Sequence, residues 1–407
     1  MALLVGCQSA VSGSVGLSVV ASTITAASVP EPASRSGSVP PVTTAGAKPV
    51  TWTVEQLVKT SANEYHARID GQYVVWNAFD KHFHQIYLHN LSTGKTTEIT
   101  HTAGLHNMYP EVNGGHVLWQ SFADGQPQNL VLYDIATKRT RTIAQGVDLQ
   151  TAEPSMAGDL VVWQSKSGNE IDVYLYRIST GLTQRLTTEG TGGMLPRTDG
   201  RYVVWLQGRP SDEVVLFDAS SGTTQSLGSY SLVGAPDISA GLVAWTTNDG
   251  QKGAVYLHDI ASGITKQITT SAVSPSAPRV DKGLVVWREG TNGSPFEGAL
   301  GSGQSSTTSS SSGRRILIYD QSTDHMVQVS ANVAPDSQPQ VKDGLVIWEA
   351  IVGQKQEPQV FDVATGQTAT VAKSIEGLYP ESASGDRVVW TGWAGGSFDV
   401  FLATPSS

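Results

Sequence analysis

The heptapeptide "DGRYVVW" at residues 199–205 decides how this chain folds. Asp-Gly is a tight-turn dipeptide, because glycine accepts positive φ without a Cβ clash and aspartate bonds its own backbone two residues on. The β-branched run that follows and ends on tryptophan reads as a strand leaving that turn. Near copies recur along the chain, and the tryptophan serves as a register mark at Trp76, Trp119, Trp163, Trp205, Trp245, Trp287, Trp348 and Trp390. Successive marks stand 40 to 44 residues apart, with a single interval of 61.

A repeat of that length is the size of a four-stranded propeller blade. Each unit carries the same parts in order. A proline precedes a short polar segment (Pro110, Pro154, Pro196, Pro236, Pro278, Pro339 and Pro380, with His66 in that place in the first unit). A glycine turn, the valine-rich run into tryptophan, a third strand such as "VYLYRI", a turn such as "STG" and a fourth strand such as "TQRLT" follow. Period-two alternation between turn signals predicts four antiparallel strands per unit. Such a unit is apolar on both faces, and a radial arrangement covers both while removing most exposed sheet edges. The expected fold is all-β, an eight-bladed β-propeller of four-stranded antiparallel blades. The last unit ends after its third strand. The missing strand is expected from "VTWTVEQLV" at 50–58, which alternates and would close the ring beside residues 398–404.

The 61-residue interval holds a Gly/Ser-rich insertion, residues 289–313, whose composition cannot bury a core and reads as disordered. The domain reading is a truncated signal with lipobox and a flexible Ser/Ala/Pro-rich tether at 1–48, then one propeller domain at 49–407. Cys7 is the only cysteine, which excludes a disulfide framework and a thiolate metal cluster. Leu4, Val5 and Gly6 precede it and resemble the lipobox of bacterial lipoproteins, which implies lipidation at Cys7. The start departs from that pattern in its short apolar run and in having no basic residue before Arg35. A conventional cleaved signal ending near Ala27 is the alternative. No apolar run is long enough for a transmembrane helix, so membrane contact is expected only through a lipid anchor. The net charge of −10 contains no Lys/Arg block, which argues against nucleic acid as a partner.

The succession of proline, "DG", "VVW" and then "IYLHNLSTGKTTEIT" (86–100) resembles the blades of TolB-like β-propellers, over residues 50–407. TolB carries an additional N-terminal α/β domain and usually fewer blades, and this chain has neither feature. The resemblance implies periplasmic or cell-surface placement and protein binding.

In an antiparallel blade, the second-to-third loops share one face with the links between blades. Propeller ligands usually sit at a mouth of the central channel. Seven of nine histidines (His66, His82, His84, His89, His101, His106 and His116) fall in the first blade and the start of the second. Five of them, His66, His82, His84, His101 and His106, map to the linking face. Tyr65, Tyr109 and Tyr379 stand immediately before the proline position, Glu111 and Glu381 follow their prolines, and Trp393 sits in the last second-to-third loop. Ring closure brings these together in blades eight, one and two.

The candidate binding residues are thus Tyr65, His66, His82, His84, His106, Tyr109, Glu111, Tyr379, Glu381 and Trp393. The spacing matches no metal-ligand motif, and neither metal nor cofactor is expected. The nucleophile elbow and the phosphate loop are absent as well. The expected function is a noncatalytic, monomeric, extracytoplasmic interaction module that binds an envelope protein or a cell-wall glycan. The alternative is a propeller enzyme, a polysaccharide lyase or hydrolase or a peptidase, with His66, His82, His84, Tyr65 and Glu111 near the reaction. Arg197, Asp237, Arg279 and Gln340 are expected to line the channel and pair with one another, and Asp199 and Asp343 to serve turn chemistry alone.

Overall fold

The computed structural model describes residues 51–79, 82–149, 153–208, 212–230, 234–248, 253–271, 275–290, 313–335, 337–353, 355–372 and 376–406, with backbone alone at 248, 270, 271 and 376–381. Within them the chain forms eight four-stranded antiparallel sheets arranged as a propeller. Blade one consists of Asn63–Asp70, Tyr73–Phe79, His84–Asn90 and Lys95–Glu98, counted outward from the channel, and six further blades repeat that order. Blade eight takes three strands from the C-terminus (Glu376–Ser384, Arg387–Ala394 and Ser397–Pro405) and its outermost strand, Trp52–Gln56, from the other end of the chain. The closing pair runs antiparallel from Trp52↔Pro405 to Gln56↔Phe401, as the unfinished last repeat requires. Cys7 and the rest of residues 1–50 lie outside the described residues, as do 291–312 of the insertion.

Each register-mark tryptophan plugs the seam with the preceding blade. Trp205 packs with Leu160, Val162, Val173 and Leu175 of blade three, while Val204 turns the other way, toward Val243 and Trp245 of blade five. This is the period-two alternation of a strand buried on both faces. All eight marks are at most 2% exposed. Four of them stack on the ring opposite in the sheet, for example Trp245 on Tyr256 with centroids 5.6 Å apart and planes 9° from parallel.

The indole nitrogens of these equivalent residues are treated unequally. Trp119 Nε1 donates to Asn107 Oδ1 at 3.0 Å, whereas Trp348 Nε1 is buried with no acceptor among the described residues. Phenylalanine at either site removes a similar apolar area, but at 119 it also strands the Asn107 oxygen, on a residue only 1% exposed. Trp119→Phe should therefore destabilise by about 1–2 kcal/mol more than Trp348→Phe, read as a difference in urea midpoints at constant slope.

Aspartates in the inner turns do more than shape those turns. Asp199 Oδ1 accepts from the amides of Arg201 and Tyr202, which is turn chemistry, but its Oδ2 accepts from Gly241 N of the next blade at 3.0 Å. Asp70 accepts from Gly114 N at 2.9 Å and Asp343 from Gly385 N at 2.8 Å in the same way. Asn113 and Ser384 reach Gly158 N and Gly71 N. The sequence reading of these acids as turn formers alone is corrected. They tie neighbouring blades at the end of the channel opposite the linking face, through charge-assisted bonds wherever the acceptor is a carboxylate.

Candidate functional site

The inner strands of blades one, two, four and six share a local irregularity. In blade one the pairing jumps from Tyr65↔Asn77 to Arg68↔Val75, and His66 takes φ 57°. Blade two jumps from Met108↔Gln120 to Glu111↔Leu118, with Tyr109 at φ 55°. Leu195 and Ala277 hold the same left-handed conformation before Pro196 and Pro278. A bulge bends the strand and re-aims a side chain, and a residue without an N–H fits there because the ladder is already broken. This register corrects the placement of His66 opposite the prolines. Ala67 stands in that place, and His66 is the counterpart of Tyr109.

The two counterparts touch, with His66 and Tyr109 ring centroids 4.5 Å apart. A chain of rings then runs across three blades. Trp393 meets Phe398 edge-on at 4.8 Å, and Phe398 lies 5.6 Å from Tyr65 across the seam between blades eight and one. Tyr65 lies 6.1 Å from His84, His84 lies 5.5 Å from His106, and His106 lies 5.7 Å from Phe122. Phe79 contacts His84 at 5.0 Å, and Phe83 contacts His106 at 5.3 Å and His82 at 6.4 Å. Trp393 is 44% exposed, Phe79 is 36% exposed and His82 is exposed too, so the chain of rings is open to a ligand.

Asn77, fully buried, sets the imidazoles from below. His66 Nδ1 lies 2.8 Å from its Oδ1, and its Nδ2 lies 3.0 Å from His84 Nδ1. One amide offers one acceptor and one donor side here, so the two histidines take opposite tautomers. Burial lowers the proton affinity of His66, which favours the neutral ring. His106 Nε2 lies 3.2 Å from the exposed Asp124.

Tyr65, His66, His82, His84, His106, Tyr109 and Trp393 are linked through this set of ring contacts. Glu111 does not join them, because its Oε1 accepts from Met156 N of blade three at 3.3 Å, and burial pushes its carboxyl up to about 7. Tyr379 and Glu381 lie on the inner strand of blade eight, with side chains outside the described residues. His101 pairs with Glu98 at 3.2 Å, and His116 faces Asp134 at 3.6 Å near the inner turn. The sequence reading missed Phe79, Phe83, Phe122 and Phe398. These are half of the chain's eight phenylalanines, and their crowding into blades eight, one and two was the available signal.

The mouth opens into a channel of about 520 Å³ whose lining includes Tyr109, Arg68, Glu111, Arg197, Asp237 and Arg279. Gln340 lines it too, as expected. The expected mutual pairing gives way to backbone bonding: Arg279 Nη1 donates to Pro278 O, Arg197 Nη1 to Pro196 O and Glu153 O, and Asp237 Oδ2 accepts from Val280 N. Among the described residues no group of three or more His, Cys, Asp or Glu side chains is placed to hold a metal ion.

No family profile and no curated protein matches the sequence. Solved structures do match. An oligogalacturonate lyase in complex with manganese is 12% identical over 88% of this chain and 97% of its own, with a TM-score of 0.50. A prolyl endopeptidase is 10% identical over 76% of this chain and 49% of its own, at a TM-score of 0.55. TolB from Acinetobacter baumannii is 21% identical over 51% of this chain and 55% of its own, at a TM-score of 0.35. At these identities the likeness is one of fold. The chain is an eight-bladed β-propeller, and fold alone does not assign an activity.

Proposed function

We propose that this propeller is a noncatalytic binding module whose ligand, a cell-wall glycan, docks on the aromatic and imidazole sector of blades eight, one and two. The observation that carries this reading is the continuous run of rings from Trp393 to Phe122, exposed at Trp393 and Phe79. A sugar ring offers a C–H face to stack on an aromatic and hydroxyl edges to meet imidazole nitrogens or a tyrosine O–H. Rings held on strands lose little side-chain entropy on binding, which favours a preformed platform. The work is placed outside the cytoplasm, on a tether anchored at Cys7, in keeping with the Leu4-Val5-Gly6-Cys7 start.

Trp393→Ala and Phe79→Ala each leave the seam tryptophans untouched, so both variants should fold. Each is expected to weaken co-sedimentation with insoluble cell-wall glycan by about tenfold or more, the loss expected when an aromatic anchor is removed. Wild-type protein that stays in the supernatant overturns the glycan reading. If an envelope protein co-purifies instead, and is lost in the same variants, the sector stands with a protein as its partner. Release of soluble sugar by the wild type would make the chain an enzyme.

A further inference from the structure

The channel into which the mouth opens is organised by one position of the inner strand. In each blade that position pairs with the residue before the register-mark tryptophan, as Arg68↔Val75, Arg197↔Val204 and Arg279↔Val286 do in blades one, four and six. Glu111, Ser155, Asp237 and Ser382 hold it in blades two, three, five and eight. There the side chain accepts from an amide of the next blade: Glu111 from Met156 N, Ser155 from Thr198 N, Asp237 from Val280 N and Ser382 from Ile69 N. The position thus serves as a tie between blades. Arginine has five donors and no acceptor, so it cannot make that tie. Three blades forgo the bond to place a guanidinium in the channel.

Two of these guanidiniums leave most of their donors unspent. Arg279 Nη1 donates to Pro278 O at 3.0 Å, and Arg197 Nη1 donates to Pro196 O at 3.3 Å and Glu153 O at 3.4 Å. Nε and Nη2 of both residues make no hydrogen bond among the described residues, and none of these nitrogens is buried away from solvent, so they open to the channel that both side chains line. Neither arginine has an ion-pair partner among the described residues. Asp237, between them on blade five, is bonded to Val280 N, Glu111 is bonded to Met156 N, and the carboxylate of Glu153 stands 3.8 Å from Arg68. Burial first lowers the proton affinity of Arg279; Asp237 opposes this and Arg197 adds to it. Two like charges therefore share a channel of about 520 Å³.

We propose that Arg197 and Arg279 hold an oxyanion in the channel, a carboxylate or phosphate group that takes up the unspent donors of both guanidiniums. The planar fork of a guanidinium matches two oxygens of such a group through parallel N–H···O bonds. An anion between the two arginines also cancels their mutual repulsion. Tyr109 lines the channel and touches His66 of the ring platform, so the same chemistry serves a free anion or an acidic substituent on a sugar held at the mouth. The inference stands on the channel and does not depend on the rings binding a glycan.

The test is calorimetric titration of the full chain at neutral pH and constant ionic strength with inorganic phosphate, N-acetylmuramic acid and N-acetylglucosamine. The two sugars differ by a lactyl carboxylate. Saturable binding of phosphate or of N-acetylmuramic acid is expected, weakened about tenfold or more in Arg279→Gln and in Arg197→Gln. Any response to N-acetylglucosamine should be the same in wild type and variants. Binding of phosphate alone supports the site with a free anion as its ligand, and binding of N-acetylmuramic acid alone supports it with an acidic sugar. Phosphate offers no face for the rings to stack on, so its response reports on the channel whatever the platform does.

Glutamine stands at this position in blade seven, as Gln340, so both variants should fold. Without ligand each should melt at or above the wild-type temperature, because one of two repelling charges is gone. No saturable binding of either acidic probe, or affinities unchanged in both variants, overturns the site. A variant that melts well below wild type overturns it too, since the arginine would then belong to the framework that joins the blades.

Discussion

Removal of residues 49–60 is expected to lower the melting temperature by about 10 °C. The deleted strand supplies the whole pairing of the outer edge of blade eight, from Trp52↔Pro405 to Gln56↔Phe401. Trp52 and Val54 cover the cluster that contains Trp390 and Phe401, while Leu57 and Val58 cover the one around Trp76. Leu57 N further donates to Val400 O at 2.9 Å. Losing several part-buried apolar side chains and a row of ladder bonds amounts to roughly 5 kcal/mol, and each kcal/mol moves the midpoint of a large domain by about 2 °C. The ring would then be held at that seam by side-chain contacts alone, so unfolding should also broaden, starting at blade eight. Calorimetry checks both. An unchanged melting curve would mean that the pairing of the two termini contributes nothing to the fold.

Trp205→Ala is expected to cost about 3–5 kcal/mol, the largest effect of any single substitution considered. The indole is 1% exposed and fills the seam between blades three and four against Val162, Val173 and Leu175. The neighbouring backbone has moved in to meet it. A Cβ on Gly193 would stand 2.9 Å from Trp205 Cδ1 and 2.7 Å from Thr187 Cγ2, which is why that link residue is glycine. Strands on both sides are fixed by their own ladders, so the cavity left by alanine cannot close by a simple shift. Denaturant titration of the variant measures the loss. A cost below about 1 kcal/mol would show that the seam repacks freely and that the tryptophan repeat is not what holds neighbouring blades together.

How far the sequence reached depends on whether a feature is written locally. The tryptophan register, the glycine turns and the unfinished last repeat are local signals, and they led to eight blades and to a closing strand within 50–58, which the structure pairs as Trp52–Gln56 with Phe401–Pro405. The ring of sector residues was legible only through closure, which puts Trp393 beside Tyr65 although 328 positions separate them. Several readings fell short for physical reasons. The displacement of His66 by one place depends on a bulge with a left-handed non-glycine residue, which no residue type marks. The second oxygen of Asp199 reaches Gly241 in the next blade, a contact that a turn motif does not encode. Glu111 follows its proline as Glu381 does, yet its carboxylate is committed to Met156 N, a choice made by the distance to the next blade.

The claim that the sector of blades eight, one and two is where this protein meets its ligand is tested most directly by placing a photo-reactive phenylalanine derivative at position 79 and, as a control, at Leu182. Leu182 is 68% exposed on the outer strand of blade three, far from the rings. Irradiation in native envelopes should attach cell-wall glycan at position 79 and leave position 182 unmodified. Equal labelling at both positions, or none at 79, would contradict the assignment of the site.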